Sequence, residues 1–459
     1  MSAARRLAGT VVALTLATTV VGCTSGEEDP GADPSPAPSS ASPTPAEPVE
    51  IEVSVFGDPV RLRAYRRIAD AFTEANPDVV VTLVEQPDPA DAAVDAANAL
   101  VLGAGPDVFL TDQRYLAELV ETDGLEPVDS LLEERGLQFG DDHQRVALTS
   151  MSADNRLQCM PAEMSPRVVY YNKRLVPRQQ LKAAEVIVPN AVATSWSWDD
   201  FAITARTVAG LDRLGPIKGV YLPPDIDTVT ALVRSADGTV VDDVFEPTSL
   251  TLASDSALEA LAELVALARD PAVALTKQDL KVRDPITRFT EGQLGMYVGT
   301  RDDLPVLREA RGLSFDVAPL PSFGRAQSVS DVNGYCLNAG TEHLDAAADF
   351  IAFAVGKEAA EIAARSDVIV PARLDTVAED VFRQPEEQPR NSQVFSTSLR
   401  RSEPMPYDIA WPRVAELAEG VFARLFYGFD VDVDAVLEDR MVRLDEQSEL
   451  LFGDGETDD

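Results

Sequence analysis

Few side chains in this chain are equipped for covalent chemistry. Its 459 residues include two histidines, His143 and His343, and three cysteines, Cys23, Cys159 and Cys336, too few for a zinc centre or for histidine-based acid–base work. The adjacent carboxylates Asp302 and Asp303 could serve as an acid–base pair, but the better reading is an acidic turn in water. Asp430-Val431-Asp432-Val433-Asp434 has the alternating acids of a calcium loop. Ala435 stands where the turn glycine belongs and Met441 where the bidentate glutamate belongs, so the run is expected to open a helix instead. Gly103-Ala104-Gly105 lacks the rest of a dinucleotide fingerprint, and neither Gly-x-Ser-x-Gly nor Gly-Lys-Ser/Thr occurs. The expectation is a protein that is not an enzyme and uses no metal and no cofactor, with polar groups that bind rather than react.

Such groups need elements to hold them. Ile51 to Phe56 alternates apolar and polar residues as a strand does, and Gly57-Asp58-Pro59 breaks it before an amphipathic helix carrying Leu62, Tyr65, Ile68, Ala69 and Phe72 on one face. Asn76-Pro77 stops that helix. Val79 to Val84 predicts a second strand, Ala90 to Leu102 an alanine-rich helix, and Val108 to Leu110 a third strand. This β-α-β-α-β order predicts a mainly parallel sheet whose strand ends, Phe56 to Asp58 and Thr111 to Gln113, face one crevice. Further on, Ser197 is placed to cap a helix with Asp199 and Asp200 in its first turn, and Trp198, Tyr171 and Asn172 read as packing residues.

The chain opens with Arg5 and Arg6, an uncharged stretch from Leu7 to Val21, and Gly22-Cys23. That arrangement predicts a lipoprotein signal peptide over 1–22, cleaved before a lipidated Cys23; an ordinary signal peptide with an incidental cysteine is the alternative. Residues 23–49 are crowded with Pro, Ser and Ala and predict a disordered tether. The body that follows, roughly 410 residues, exceeds what one hydrophobic core serves, so two lobes are expected. A formal net charge of −38 argues against nucleic acid as a partner. Outside the membrane Cys159 and Cys336 read as a disulfide pair, or else as two buried thiols.

One resemblance runs through the body. In order, Ala71 to Val79, Gly105-Pro106-Asp107-Val108, Leu125 to Asp129, Asn155 to Pro161, Tyr170-Tyr171-Asn172-Lys173, Ser197 to Phe201, Phe289 to Met296, Asp316 to Pro321, Ala346 to Ile351 and Val370-Pro371-Ala372 resemble segments of the extracellular solute-binding proteins of bacterial ABC importers, in the group that includes maltose-binding protein. Each motif is weak alone; their joint order covers nearly all of residues 50 to 450.

The resemblance implies an α/β, two-lobed periplasmic-binding-protein-like fold of type II, with lobe 1 formed by 50–161 plus 294–333 and lobe 2 by 162–293 plus 334–459. Crossings are expected near Pro161 to Met164, Glu291 to Leu294 and Gly334 to Leu337, forming a hinge that closes on a ligand. Cys159 and Cys336 then both lie near the hinge, which favours the disulfide. The implied function is capture of a small solute, most readily a sugar or oligosaccharide, for ABC permease subunits, by a monomer held through Cys23 on the extracytoplasmic face of the cell membrane. A non-transporting sensor or protein-interaction module with the same fold is the alternative. The implied ligand residues are Phe56 and Asp58, Asp112 and Gln113, Glu163, Tyr221, Tyr297, Thr300 and Arg301, Asp331 and Asn333, and Trp411. Aromatic residues make up only 6% of the chain, so sugar-stacking surfaces are scarce, and Arg301 would equally suit a carboxylate or phosphate.

Overall fold

The computed structural model describes residues 48–188, 195–211, 217–428 and 433–453. The leader, Cys23, the tether up to residue 47, and Asp430 to Asp432 of the acidic run lie outside them. Val49–Phe56 (β1) forms the expected strand, and Asp58 starts Pro59–Ala75 (α1) by accepting from the backbone N–H groups of Val60 and Arg61 at 2.5 and 3.1 Å. This N-cap satisfies donors that the first helical turn leaves free. α1 turns Tyr65, Ile68, Ala69 and Phe72 inward, and Phe72 meets Phe350 edge-on at 5.3 Å between ring centroids. Pro89–Val101 (α2) links Val79–Gln86 (β2) to Val108–Asp112 (β3), so β2, β1 and β3 run parallel.

The later strands are Cys159–Pro166 (β4), Val168–Asn172 (β5), Lys218–Tyr221 (β6), Leu294–Gly299 (β7), Phe315–Ala318 (β8) and Ser330–Asn338 (β9). The first sheet has the order β4-β9-β3-β1-β2, with the short strands Val370–Pro371 on β4 and Leu125–Glu126 on β9, and the second has the order β8-β5-β7-β6. β9 is antiparallel to β3 and β4, β5 is antiparallel to β7 and β8, and β6 and β7 are parallel. Both sheets are therefore mixed rather than mainly parallel. A strand that returns from the other lobe enters against the direction set by the βαβ units.

The lobe boundaries also differ from those expected. Leu294–Gly299 pairs with β5 and β6, so there is no crossing at Glu291 to Leu294, and 294–318 belongs to the second sheet. The chain crosses at Arg167, between β4 and β5, and returns through 319–329 into β9; Gly334 to Leu337 lies inside that strand. Leu344–Ala354 (α5) and Lys357–Ala364 (α6) lie on α1 in the first lobe. Trp411–Tyr427 (α7) and Val433–Gly453 (α8) return to the second-lobe core, so 334–459 is divided between the lobes. Strands buried on both faces carry no mark of which sheet receives them, which is why the pattern alone misassigned them.

In the second sheet, Val169, Tyr171, Met296 and Val298 face a core containing Trp198 and Phe201, while Val168, Tyr170, Tyr297 and Phe315 face the first-lobe core. Ser197 caps Trp198–Ala209 (α3) by accepting from the Asp200 N–H at 3.1 Å. Cys159 and Cys336 lie opposite each other on β4 and β9 and form a disulfide with Cα atoms 4.3 Å apart. α8 begins at Val433, just past the acidic run's undescribed residues. Among the described residues no helix is long and apolar enough to cross a membrane, and no group of three or more His, Cys, Asp or Glu could hold a metal ion.

Candidate functional site

The parallel strands β1 and β3 end at Phe56 and Asp112, and the antiparallel β9 begins at that same end, with Asn333 opposite both Asp112 on β3 and Glu163 on β4. Strand register alone thus brings together Asp112, Glu163, Asp331 and Asn333, at the sheet edge where α/β folds place ligands. Arg61, in the first turn of α1, projects into this group and pairs through Nη1 with Glu163 Oε1. The same oxygen accepts from Tyr65 OH at 3.1 Å and from Asn333 Nδ2 at 2.6 Å. Arg61 Nη2 reaches across to Asp302, beyond β7 in the second lobe, at 2.5 Å. Burial works against the Arg61 charge, but Glu163 and Asp302 hold its pKa well above the ordinary value.

A second group adjoins the first. Asp227, in the first turn of Ile226–Ser235 (α4), accepts from Arg167 Nη2 at 2.6 Å and from Arg114 Nη2 at 3.4 Å. Arg114 belongs to the first lobe, Asp227 to the second, and Arg167 to the crossing between them. Arg114 also lies 3.6 Å from Asp331, and Arg167 lies 3.9 Å from Asp225 and 4.0 Å from Asp331. Burial raises the Asp331 carboxyl to about 7, helped by the Asp227 charge. Burial likewise raises Asp112, although Arg114 and its backbone N–H work against that rise. Asp227 goes the other way: burial opposes its charge, yet Arg167 and Arg114 hold it below the usual carboxylate range. Within this junction Glu163 Oε2, Asn333 Oδ1, Asp227 Oδ1, Gln113 Oε1 and Arg167 Nε have no hydrogen-bond partner among the described residues.

A cavity of about 450 Å³ lies between Ala117 and Glu121 of the first lobe and Phe245, Tyr407, Asp408 and Phe452 of the second. Burial, and then the Asp154, Glu121 and Asp408 carboxylates, push the Tyr407 phenol up to about 12. Both faces of this cavity carry acidic side chains, with aromatic carbon on the second-lobe side.

Of the sequence-predicted residues, Asp112, Gln113, Glu163, Asp331 and Asn333 converge here. Asp58 and Thr300 stand at its margin as caps, Thr300 accepting from the Asp302 N–H at 3.4 Å. Tyr221 is half-buried near Asp225. Four others are core residues. Phe56 and Trp411 are 4% and 1% exposed, and Tyr297 stacks on Tyr170 at 5.1 Å. The Arg301 guanidinium lies 4.1 Å from the Phe382 ring centroid and donates to the Phe382 carbonyl, with burial lowering its pKa to about 10. It is held by aromatic faces and turned from the junction, so the carboxylate or phosphate role has no support there. Asp302 is more than a solvated acidic turn, since it closes on Arg61, and burial raises its neighbour Asp303 to about 7.

Sequence reasoning missed Arg61, Arg114, Arg167 and Asp227. Arg61 carried one signal: at four residues before Tyr65 it continues the apolar stripe of α1, where a charge requires a partner.

The bacterial extracellular solute-binding protein family model matches residues 67–389, and the chain belongs to that family. Three solved structures share its fold. An ABC substrate-binding protein from Listeria monocytogenes, in complex with cycloalternan, is 20% identical with a TM-score of 0.75, covering 88% of this chain and 99% of that one. The sugar-binding protein MalE from Xanthomonas citri is 16% identical with a TM-score of 0.75, over 89% and 98%. UgpB from Mycobacterium tuberculosis, in complex with glycerophosphocholine, is 18% identical with a TM-score of 0.71, over 89% and 99%.

Proposed function

We propose that this protein is the lipid-anchored solute-binding component of an ABC importer. It stands on the extracytoplasmic face of the membrane through Cys23, as a monomer, and hands a small polyhydroxylated solute, a sugar or oligosaccharide, to permease subunits without altering it. The observation that carries this reading is the interlobe junction itself. Arg61–Asp302 and Arg114–Asp227 join the two lobes around buried hydrogen-bonding groups at the strand ends, and those groups keep unpartnered acceptors that sugar hydroxyls can satisfy. The ligands named for the Listeria protein and for UgpB, a cyclic oligosaccharide and a glycerol phosphodiester, are both polyhydroxylated solutes, which supports the same class here. Asp112, Gln113, Glu163, Asp331, Asn333 and the side chains around Tyr407 form the proposed contact set.

The test is a thermal-shift screen of the full chain against mono- and oligosaccharides, polyols, amino acids and phosphorylated compounds. A solute that binds only the folded form raises Tm. A rise with one polyhydroxylated class is expected, and no rise with any compound would overturn the proposal.

A further inference from the structure

The two oxygens of Glu163 have different surroundings. Oε1 accepts from Arg61, Tyr65 and Asn333, whereas Oε2 has no hydrogen-bond partner among the described residues. Glu163 also lines a small cavity inside the first lobe, between α1, α6 and the sheet, together with Tyr65, His143, Tyr335, Val355 and Arg373. Every lining residue except Ala162 and Arg373 is buried. His143 is 2% exposed, and neither of its ring nitrogens has a hydrogen-bond partner among the described residues. Its backbone is pinned to segment 372–374 on both sides: the Gln144 N–H donates to the Ala372 carbonyl at 3.0 Å and the Leu374 N–H to the Asp142 carbonyl at 2.8 Å. The ring is thus held at the cavity wall, where a buried polar group is almost always paired with protein or with ordered water.

The charges around this cavity are already matched. Glu163 has Arg61, and Arg373 has Asp375 at 2.9 Å and Asp142 at 3.4 Å. Burial, and then the Arg373 charge, lower the His143 pKa to about 4, so the ring is neutral. What fits is therefore a small neutral molecule that can donate. The cavity offers the centre of a water molecule about 20 Å³, against the roughly 10–15 Å³ that one water needs. We infer that it holds one ordered water, which donates to Glu163 Oε2 and to a ring nitrogen of His143 and accepts from the Tyr335 hydroxyl, and that His143 is thereby a positioning residue for Glu163. Three hydrogen bonds are the usual complement of a buried water. The Val355 carbonyl favours a proton on one side of the ring, which leaves the other nitrogen as the acceptor this arrangement uses. Tying down Oε2 from within the lobe keeps Oε1 turned towards Arg61 and Asn333. Asp227 Oδ1, Gln113 Oε1 and Asn333 Oδ1 then remain as the open acceptors of the junction, and the water site stands whether or not the solute-binding reading does.

The experiment is nuclear magnetic resonance on the full chain labelled with nitrogen-15 in histidine. His143 and His343 are its two histidines, so a His143→Gln variant assigns the signals. Above its pKa, His143 is expected as one fixed neutral tautomer, its bare nitrogen shifted as a hydrogen-bond acceptor, with a through-space Overhauser contact from its ring protons to a long-lived water. Tyr335→Phe, and independently Glu163→Gln, should move the His143 nitrogen shifts and leave those of His343 in place, with circular dichroism showing which variants fold. A ring that averages between tautomers, the lack of a water contact, or nitrogen shifts indifferent to every folded variant would overturn the inference. A high-resolution crystal structure of the unmutated chain decides the matter if neither variant folds. A water at hydrogen-bond distance, about 2.5–3.2 Å, from both Glu163 Oε2 and a His143 nitrogen is expected there; an empty cavity, or a direct His143–Glu163 bond, overturns the proposal.

Discussion

Arg61 and Asp302 meet across the lobe boundary at 2.5 Å, one from the first turn of α1 and the other from just beyond β7. The same guanidinium is already committed within its own lobe to Glu163, whose side chain is 3% exposed against 41% for Asp302. The two halves of this shared pair should therefore respond very differently to substitution.

Removing the cation strands a buried anion. Arg61→Met is expected to lower unfolding free energy by ~3–5 kcal/mol, the range for breaking one side of a buried pair. Urea denaturation followed by circular dichroism measures it, and a loss below about 1 kcal/mol would show that Glu163 finds another partner.

Neutralising the exposed partner should act on shape rather than stability. For Asp302→Asn we expect a stability change within about 1 kcal/mol, as for exposed pairs. Small-angle scattering without solute should then give a larger radius of gyration than the parent chain. An unchanged radius would mean that this contact does not hold the lobes together.

The pH dependence follows from Asp331, whose folded pKa of about 7 lies above the unfolded value of about 3.9. Its contribution is fully present below the unfolded pKa and is lost as pH rises through about 7, because between the two the folded form binds more protons. Burial lowers His143 to about 4, so its contribution runs the other way, rising with pH over its own window. Comparing the parent chain with Asp331→Asn isolates the aspartate: the variant should gain stability relative to the parent between pH 4 and pH 7. A difference that does not change with pH would refute the assignment.

The Cys159–Cys336 link joins positions separated by 177 residues, and replacing both by Ala is expected to cost ~2–5 kcal/mol. Both sulfurs are fully buried, so mild reductant should leave the folded chain oxidised. Thiol titration of the unreduced, denatured chain should find no free thiol beyond Cys23; two more would show the bond absent.

Much of the first lobe could be read from residue order. The alternation of Ile51 to Phe56, the break at Asp58 and the βαβ spacing were enough to place Asp112 at a strand end, and the family resemblance added Glu163, Asp331 and Asn333. What the sequence could not show was contact between residues far apart in the chain. Arg114 and Arg167 look like ordinary surface cations until the lobes meet over Asp227. Arg301 fails in the opposite sense: its charge suggested a ligand partner, but Phe382 and Phe395 give it a π-face environment deep in the core. Tyr297 and Trp411 fail similarly, because an aromatic near a cleft and one beneath it have the same sequence signature.

Asp227 is shared between Arg167, at the crossing between β4 and β5, and Arg114, on the opposite lobe; Arg61 is shared in mirror fashion between Glu163 and Asp302. If the lobes open as the proposed solute-binding reading requires, Asp227 would stay with Arg167 and Glu163 with Arg61, while the groups released, Arg114 and Asp302, are the more exposed partners. The bivalve can gape without ever baring a lone ion in its interior. Glu163 and Asp227 would each keep a resident counterion, so in the proposed role opening would not strand either buried carboxylate.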